Sequence, residues 1–122
     1  MKKIILTENA PAPIGPYSQA VLINGTLYCS GQIGFDCLDG DIEAQTNSAC
    51  KNISAVLKAA DMQIEDVVKT TCFLADMNDF TRFNEVYERF FAHKPARSCV
   101  AAKGLPKNAL VEIEVIAVAD SM

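Results

Sequence analysis

The chain has 122 residues and a formal net charge of −4, with half of its residues apolar and 21% charged. That suits one soluble domain, residues 1–122, with a core of its own, and it argues against a nucleic-acid partner, whose backbone contacts need a basic face. The five cysteines, Cys29, Cys37, Cys50, Cys72 and Cys99, are widely spaced and form no C-x-x-C pair, so neither a disulfide framework nor a zinc site is expected, and free thiols point to a reducing cytoplasm.

The N-terminus carries Lys2 and Lys3 but only three apolar residues before Thr7. That is too short for a signal peptide, and no run in the chain reaches the length of a membrane span. Residues 3–7 read as a short edge strand. Residues 8–16 hold three of the five prolines and read as a stiffened loop that delivers Tyr17 to a fixed place. A strand over 18–24 and its partner over 26–31 are joined by Asn24-Gly25, the sequence of a type I′ turn. Residues 32–41 are expected to be a loop that turns at Asp39-Gly40.

Residues 43–60 fit a helix, with Ala49, Ile53, Val56, Leu57 and Ala60 on one stripe at the 3.6-residue period. Asp61 follows where glycine would end a helix more easily. Residues 67–75 are β-branched and apolar on both sides apart from Lys69, so this strand is placed centrally. Residues 76–79 form a turn and helix cap. Residues 80–91 form a second helix with Phe80, Phe83, Tyr87 and Phe90 or Phe91 inward. The last strands are expected over 97–103 and 111–119, joined by residues 104–108.

Residues 95–114 therefore read as a strand, a turn and a strand, a hairpin that would set Arg97 and Glu112 on one sheet. Arg97 has the planar fork that clamps a carboxylate through two parallel bonds. Glu112 can take a proton or orient a water. Read without context, Arg97 is a rim arginine in an ion pair, and Glu112 and Glu114 are solvated carboxylates on an edge strand.

Six strands and two helices give an α+β layer pair in which the helices cover one face of the sheet. In the last strand Val111, Ile113, Val115, Ala117 and Ala119 make one apolar face. The other face carries Glu112, Glu114, Ile116 and Val118. With no helix left to cover it, that mixed face is expected to bury against another subunit.

Several segments, in this order and spacing, resemble the YjgF/RidA family of reactive-intermediate deaminases. They are Ile14-Gly15-Pro16-Tyr17-Ser18-Gln19, Ser30-Gly31-Gln32-Ile33, Val68-Lys69-Thr70-Thr71, Phe83-Asn84-Glu85-Val86-Tyr87, Pro95-Ala96-Arg97-Ser98-Cys99-Val100 and Val111-Glu112-Ile113. The resemblance covers nearly the whole chain. It implies a chorismate-mutase-like α+β fold with a six-stranded mixed sheet, and a homotrimer with sites between subunits. It also implies hydrolysis of 2-enamine and 2-imine acids, such as 2-aminocrotonate, to 2-keto acids and ammonia without metal or organic cofactor. Arg97 would then capture the substrate carboxylate and Glu112 would orient the water, with Tyr17, Ser30, Gly31, Asn84 and Cys99 around the ligand. Tyr17 would come from a neighbouring subunit.

As plain structure, Tyr17 is a packed ring, Ser30 a strand hydroxyl and Asn84 a polar helix residue. Gly31 permits a close backbone approach. Cys99 has no histidine base placed for it, since the single His93 lies in a loop, which argues against a nucleophile; the resemblance implies that its backbone counts for more than its thiol. The chain departs from many relatives in the three-residue link Ala92-His93-Lys94, which is shorter and changes the lining of the site mouth. Two further readings stand beside the deaminase. One is a trimeric small-molecule-binding or regulatory module without turnover. The other is an RNA-directed activity, which the acidic composition disfavours.

Overall fold

The polypeptide alternates β-branched runs with two helical stripes, and each run becomes a strand of one sheet. The computed structural model describes residues 1–119; residues 120–122 of the expected domain lie outside the described residues. The strands are β1 (Lys2–Ile5), β2 (Ala20–Ile23), β3 (Thr26–Gln32), β4 (Val67–Leu74), β5 (Ala96–Ala101) and β6 (Val111–Val118), and the helices are α1 (Ile42–Ala59) and α2 (Phe80–Phe90). Strand order is β1-β2-β3-β6-β4-β5. Only β4 and β5 pair in parallel; the other neighbours are antiparallel.

Topology puts both helices on one side. β3 and β4 are each antiparallel to β6, so they run parallel to each other, and α1 connects them. α2 connects β4 to its parallel neighbour β5. The two crossovers step across the sheet in the same direction. With the right-handed twist that such connections follow, both helices land on the same face. The core lies there: Leu27, Cys29, Cys72, Leu74, Val111, Ile113, Val115 and Ala117 of the sheet cluster with Ile53, Val56, Leu57 and Phe83 of the helices.

Local chemistry sets the element ends. Asn24 and Gly25 both have positive φ, 50° and 79°, as the tight turn between β2 and β3 requires. The Asp41 carboxylate accepts from the Ala44 amide at 2.9 Å and caps α1. Asp61 does adopt the left-handed conformation, at φ 58°. The amides of Asp61 and Met62 bond back to Lys58 and Leu57, a helix ending usually left to glycine. In α2 the buried residues are Phe83, Val86 and Tyr87. Phe91 is buried just beyond the helix, while Phe80 and Phe90 are only partly covered.

The expected hairpin over residues 95–114 does not form. β4 lies between β5 and β6. The reason is a vacant slot: β3 and β4 would each leave an unpaired edge, and β6 pairs with both. Residues 102–110 are long enough to carry the chain past one strand, whereas hairpin loops usually hold 2–5 residues. This connection includes left-handed Lys107 and Asn108.

Among the described residues no helix covers the second face of the sheet. Ile4, Ile23, Tyr28, Val100 and Val118 are exposed on it, with exposures from 37 to 52%. No helix among the described residues is long and apolar enough to cross a membrane.

Candidate active site

The side chains singled out in the sequence fall into two groups on opposite faces of the sheet. The first surrounds a cavity of about 360 Å³ lined by Tyr17, Ser30, Gly31, Glu112 and Glu114, with Pro11, Ile14, Ile33 and Phe35 as its apolar wall. The second is a cleft of about 550 Å³ between α2 and β5, lined by Phe80, Asn84, Tyr87 and Arg97.

In the first group a kink in β3 does the positioning. The register between β3 and β6 shifts between Cys29 and Gln32, so Ser30 and Gly31 sit in a bulge opposite Glu114, one step along the same face of β6 from Glu112. A Cβ on Gly31 would lie 2.8 Å from Glu112 Cδ and 2.9 Å from its Cγ. The close approach expected at Gly31 is therefore made by the Glu112 side chain. Ser30 Oγ donates to the Ser18 carbonyl at 2.6 Å, and the Ser30 amide donates to the Gln19 carbonyl at 2.9 Å. The Tyr17 hydroxyl accepts from the Ile14 amide at 3.3 Å, while its ring stays about half exposed, at 47%.

The proline loop is held by Gln19, which sequence reasoning passed over. Its side chain is 1% exposed. Its Oε1 accepts from the Thr7 amide at 2.7 Å, and its Nε2 donates to the carbonyls of Thr7 at 3.1 Å, Ala10 at 3.4 Å and Pro11 at 2.9 Å. Gln45 of α1 does similar work, donating to the Leu38 and Gly40 carbonyls and accepting from the Leu110 amide at the entry to β6. A glutamine in a loop or on a helix stripe carries no pattern that announces such a bond set.

In the second group Arg97 pairs in register with Thr70 on the helix-covered face. Its Nη1 donates to Asn84 Oδ1 at 2.7 Å. Its guanidinium carbon lies 4.9 Å from the centre of the Tyr87 ring, 5.5 Å from Phe80 and 5.8 Å from Phe83. Glu112 pairs with Phe73 and points to the opposite face, since Val111 and Ile113 beside it are in the core. Within one chain, then, Arg97 and Glu112 do not meet. Tyr17 shares its cavity with Glu112 of the same chain.

The two carboxylates of the cavity affect each other. Burial raises the pKa of Glu112, and the charge of Glu114 raises it further. Glu114, left outside the site by the sequence reading, lines the cavity as well. Among the described residues no group of three or more His, Cys, Asp and Glu is arranged to hold a metal ion.

The family profile described as Endoribonuclease L-PSP matches residues 7–119. The chain belongs to this family, the YjgF/RidA family. Among the relatives of this YjgF/RidA chain, a candidate regulator, AldR, of Lactococcus lactis is 54% identical, over 94% of this chain and 96% of its own. The 2-iminobutanoate/2-iminopropanoate deaminase of Salmonella typhimurium is 46% identical, over 97% of this chain and 98% of its own. Among solved structures, E. coli TdcF with bound serine superposes at TM-score 0.92 with 40% identity, covering 97% of this chain and 99% of that one. The expected fold, a six-stranded mixed sheet with two helices on one face, is the fold of these proteins.

Cys99 is two residues beyond Arg97, beside Cys72 in register, and packs against the core. Burial raises its thiol pKa, and the charge of Arg97 offsets this only in part. A thiol held protonated is a poor nucleophile. His93 is exposed, yet its Nε2 bonds the Val67 carbonyl at 2.9 Å and so fastens the short link 92–94 to β4.

Proposed function

We propose that this YjgF/RidA protein hydrolyses 2-imino acids and their enamine tautomers, at sites shared between two copies of the chain in a trimer. The observation carrying this is the split of the site residues. One face offers an arginine with a free guanidinium edge, and the other offers a half-buried carboxylate over a cavity. A head-to-tail contact between copies would join the two halves, and three such contacts closed into a ring make the trimer. The relatives named as deaminases at 44–46% identity support the activity.

On this reading Arg97, steadied by Asn84 of its own chain, binds the substrate carboxylate through two charge-assisted bonds. The protonated imine carbon then faces Glu112 of the adjoining copy. Water adds to that carbon as Glu112 takes its proton. The tetrahedral adduct passes a proton to its nitrogen, ammonia leaves, and the carbonyl of the 2-keto acid forms. An enamine first takes a proton on its β-carbon to become the imine. Hydrolysis of an iminium ion draws only on water and proton transfer. The substrates leak from pyridoxal-phosphate enzymes that dehydrate hydroxyamino acids, and the protein works beside them in the cytoplasm, which suits its five free thiols.

The test mixes two inactive variants. Arg97→Ala and Glu112→Gln, unfolded and refolded together, are expected to regain about a quarter of wild-type 2-ketobutyrate release, because a random quarter of the shared sites has both intact halves. A mixture as dead as its parts, with wild-type activity present, defeats the shared site. A wild-type protein that never accelerates imine hydrolysis leaves the second reading, a binding module, which the name of the Lactococcus relative favours.

A further inference from the structure

We propose that Tyr87 is the positioning residue for Arg97: its ring fixes the plane of the guanidinium so that the fork meets a carboxylate. The inference rests on the reading of Arg97 as the carboxylate clamp. An arginine side chain carries about 2 kcal/mol of rotamer entropy, and a bidentate contact demands one orientation of its plane. Asn84 holds only Nη1, at 2.7 Å, which leaves rotation about that bond open. Of the three rings around the guanidinium, Tyr87 is nearest, with 4.9 Å from the guanidinium carbon to the ring centre.

What sets Tyr87 apart from Phe80 and Phe83 is how firmly its own ring is held. It is 8% exposed. It stacks on Phe91 with ring centres 4.6 Å apart. Its hydroxyl lies 2.7 Å from Thr70 Oγ1. Thr70 is fully buried on β4 and is the register partner of Arg97 on β5. Arg97, Thr70 and Tyr87 thus close a triangle across two strands and a helix. The guanidinium lies on a ring whose tip is tied to the strand beside its own backbone. A ring serving the core alone would not need to face a guanidinium at the edge of a cleft.

The test grades the ring without changing its shape. Tyr87→Phe keeps the ring, and phenylalanine bearing one, two or three fluorines at position 87 progressively removes the negative potential of its face. KM for 2-iminobutanoate and Ki for 2-ketobutyrate are expected to rise stepwise along the series, to about tenfold at the end, with kcat within about twofold and the unfolding temperature unchanged. Tyr87→Leu should match or exceed the last step, and Tyr87→Phe should restore affinity to within about threefold of wild type. KM and Ki that stay flat along the series overturn the proposal, as does a loss confined to kcat. Arg97→Ala is the reference, read by direct titration with 2-ketobutyrate: if its Kd matches wild type, the clamp itself is wrong. If its Kd rises while KM and Ki stay flat along the fluorinated series, the role of Tyr87 alone fails.

Discussion

Glu112 sits above a glycine that exists to let it pass. Gly31→Ala would drive a methyl group against Glu112 Cδ and Cγ, now 2.8 and 2.9 Å from that position. The carboxylate is the far end of a flexible side chain, so it can move while the backbone stays. The expected outcome is activity falling about as far as in Glu112→Gln, on the order of 10²-fold, with urea stability changed by less than about 1 kcal/mol. The pH profile reports the same group. A general base works when ionised, so activity is lost on the acid side as Glu112 takes its proton. Burial and the neighbouring Glu114 raise that pKa, so the acid limb is expected above the ordinary glutamate value of 4.5. Glu114→Gln removes one of the two causes. It should shift the limb to lower pH, measured as kcat/KM against pH, and a limb that does not move would remove Glu114 from the site.

At the level of elements, the loop before β2 is shaped from one side chain. Gln19 makes four bonds to the backbone of Thr7, Ala10 and Pro11, and Tyr17 sits two residues away. Gln19→Leu fits the volume but strands buried carbonyls and an amide, at about 1–3 kcal/mol for a buried group left unsatisfied. Urea denaturation should show a loss of about 2 kcal/mol, and residues 8–16 should become open to limited proteolysis. The proline content alone marked this loop as irregular and stiff. It did not say what held the loop, because the donors and acceptors come together only after β1 and β2 pair. The β3 bulge behaves likewise: the motif Ser30-Gly31 was legible, but its kink against β6 was not.

For the whole molecule, the proposed shared site makes the uncovered sheet face decisive. Ile116 lies at its centre, opposite Tyr28 on β3 and Lys69 on β4. On the trimer proposal, light scattering should give three times the 13.2 kDa of one chain. Ile116→Asp should reduce that to one chain and abolish deamination together, although Arg97 and Glu112 are untouched. A monomeric variant with full activity would place the reaction within one chain. Arg82 bridges Asp41 and Glu43 at 3.2 and 3.0 Å across the two helices, but an exposed pair of this kind contributes little.

The sequence by itself determined the elements, the inward stripe of α1, the positive-φ turn at Asn24-Gly25 and which side chains deserved attention, because periodicity, turn chemistry and motif order are local properties of the chain. It did not determine who meets whom. Residues 95–114 read as a hairpin because neighbouring strands usually pair, and nothing local told β6 to enter the slot between β3 and β4. Only the closed hydrogen-bond ladder decided that, and with it the alternation that sends Arg97 to one face of the sheet and Glu112 to the other.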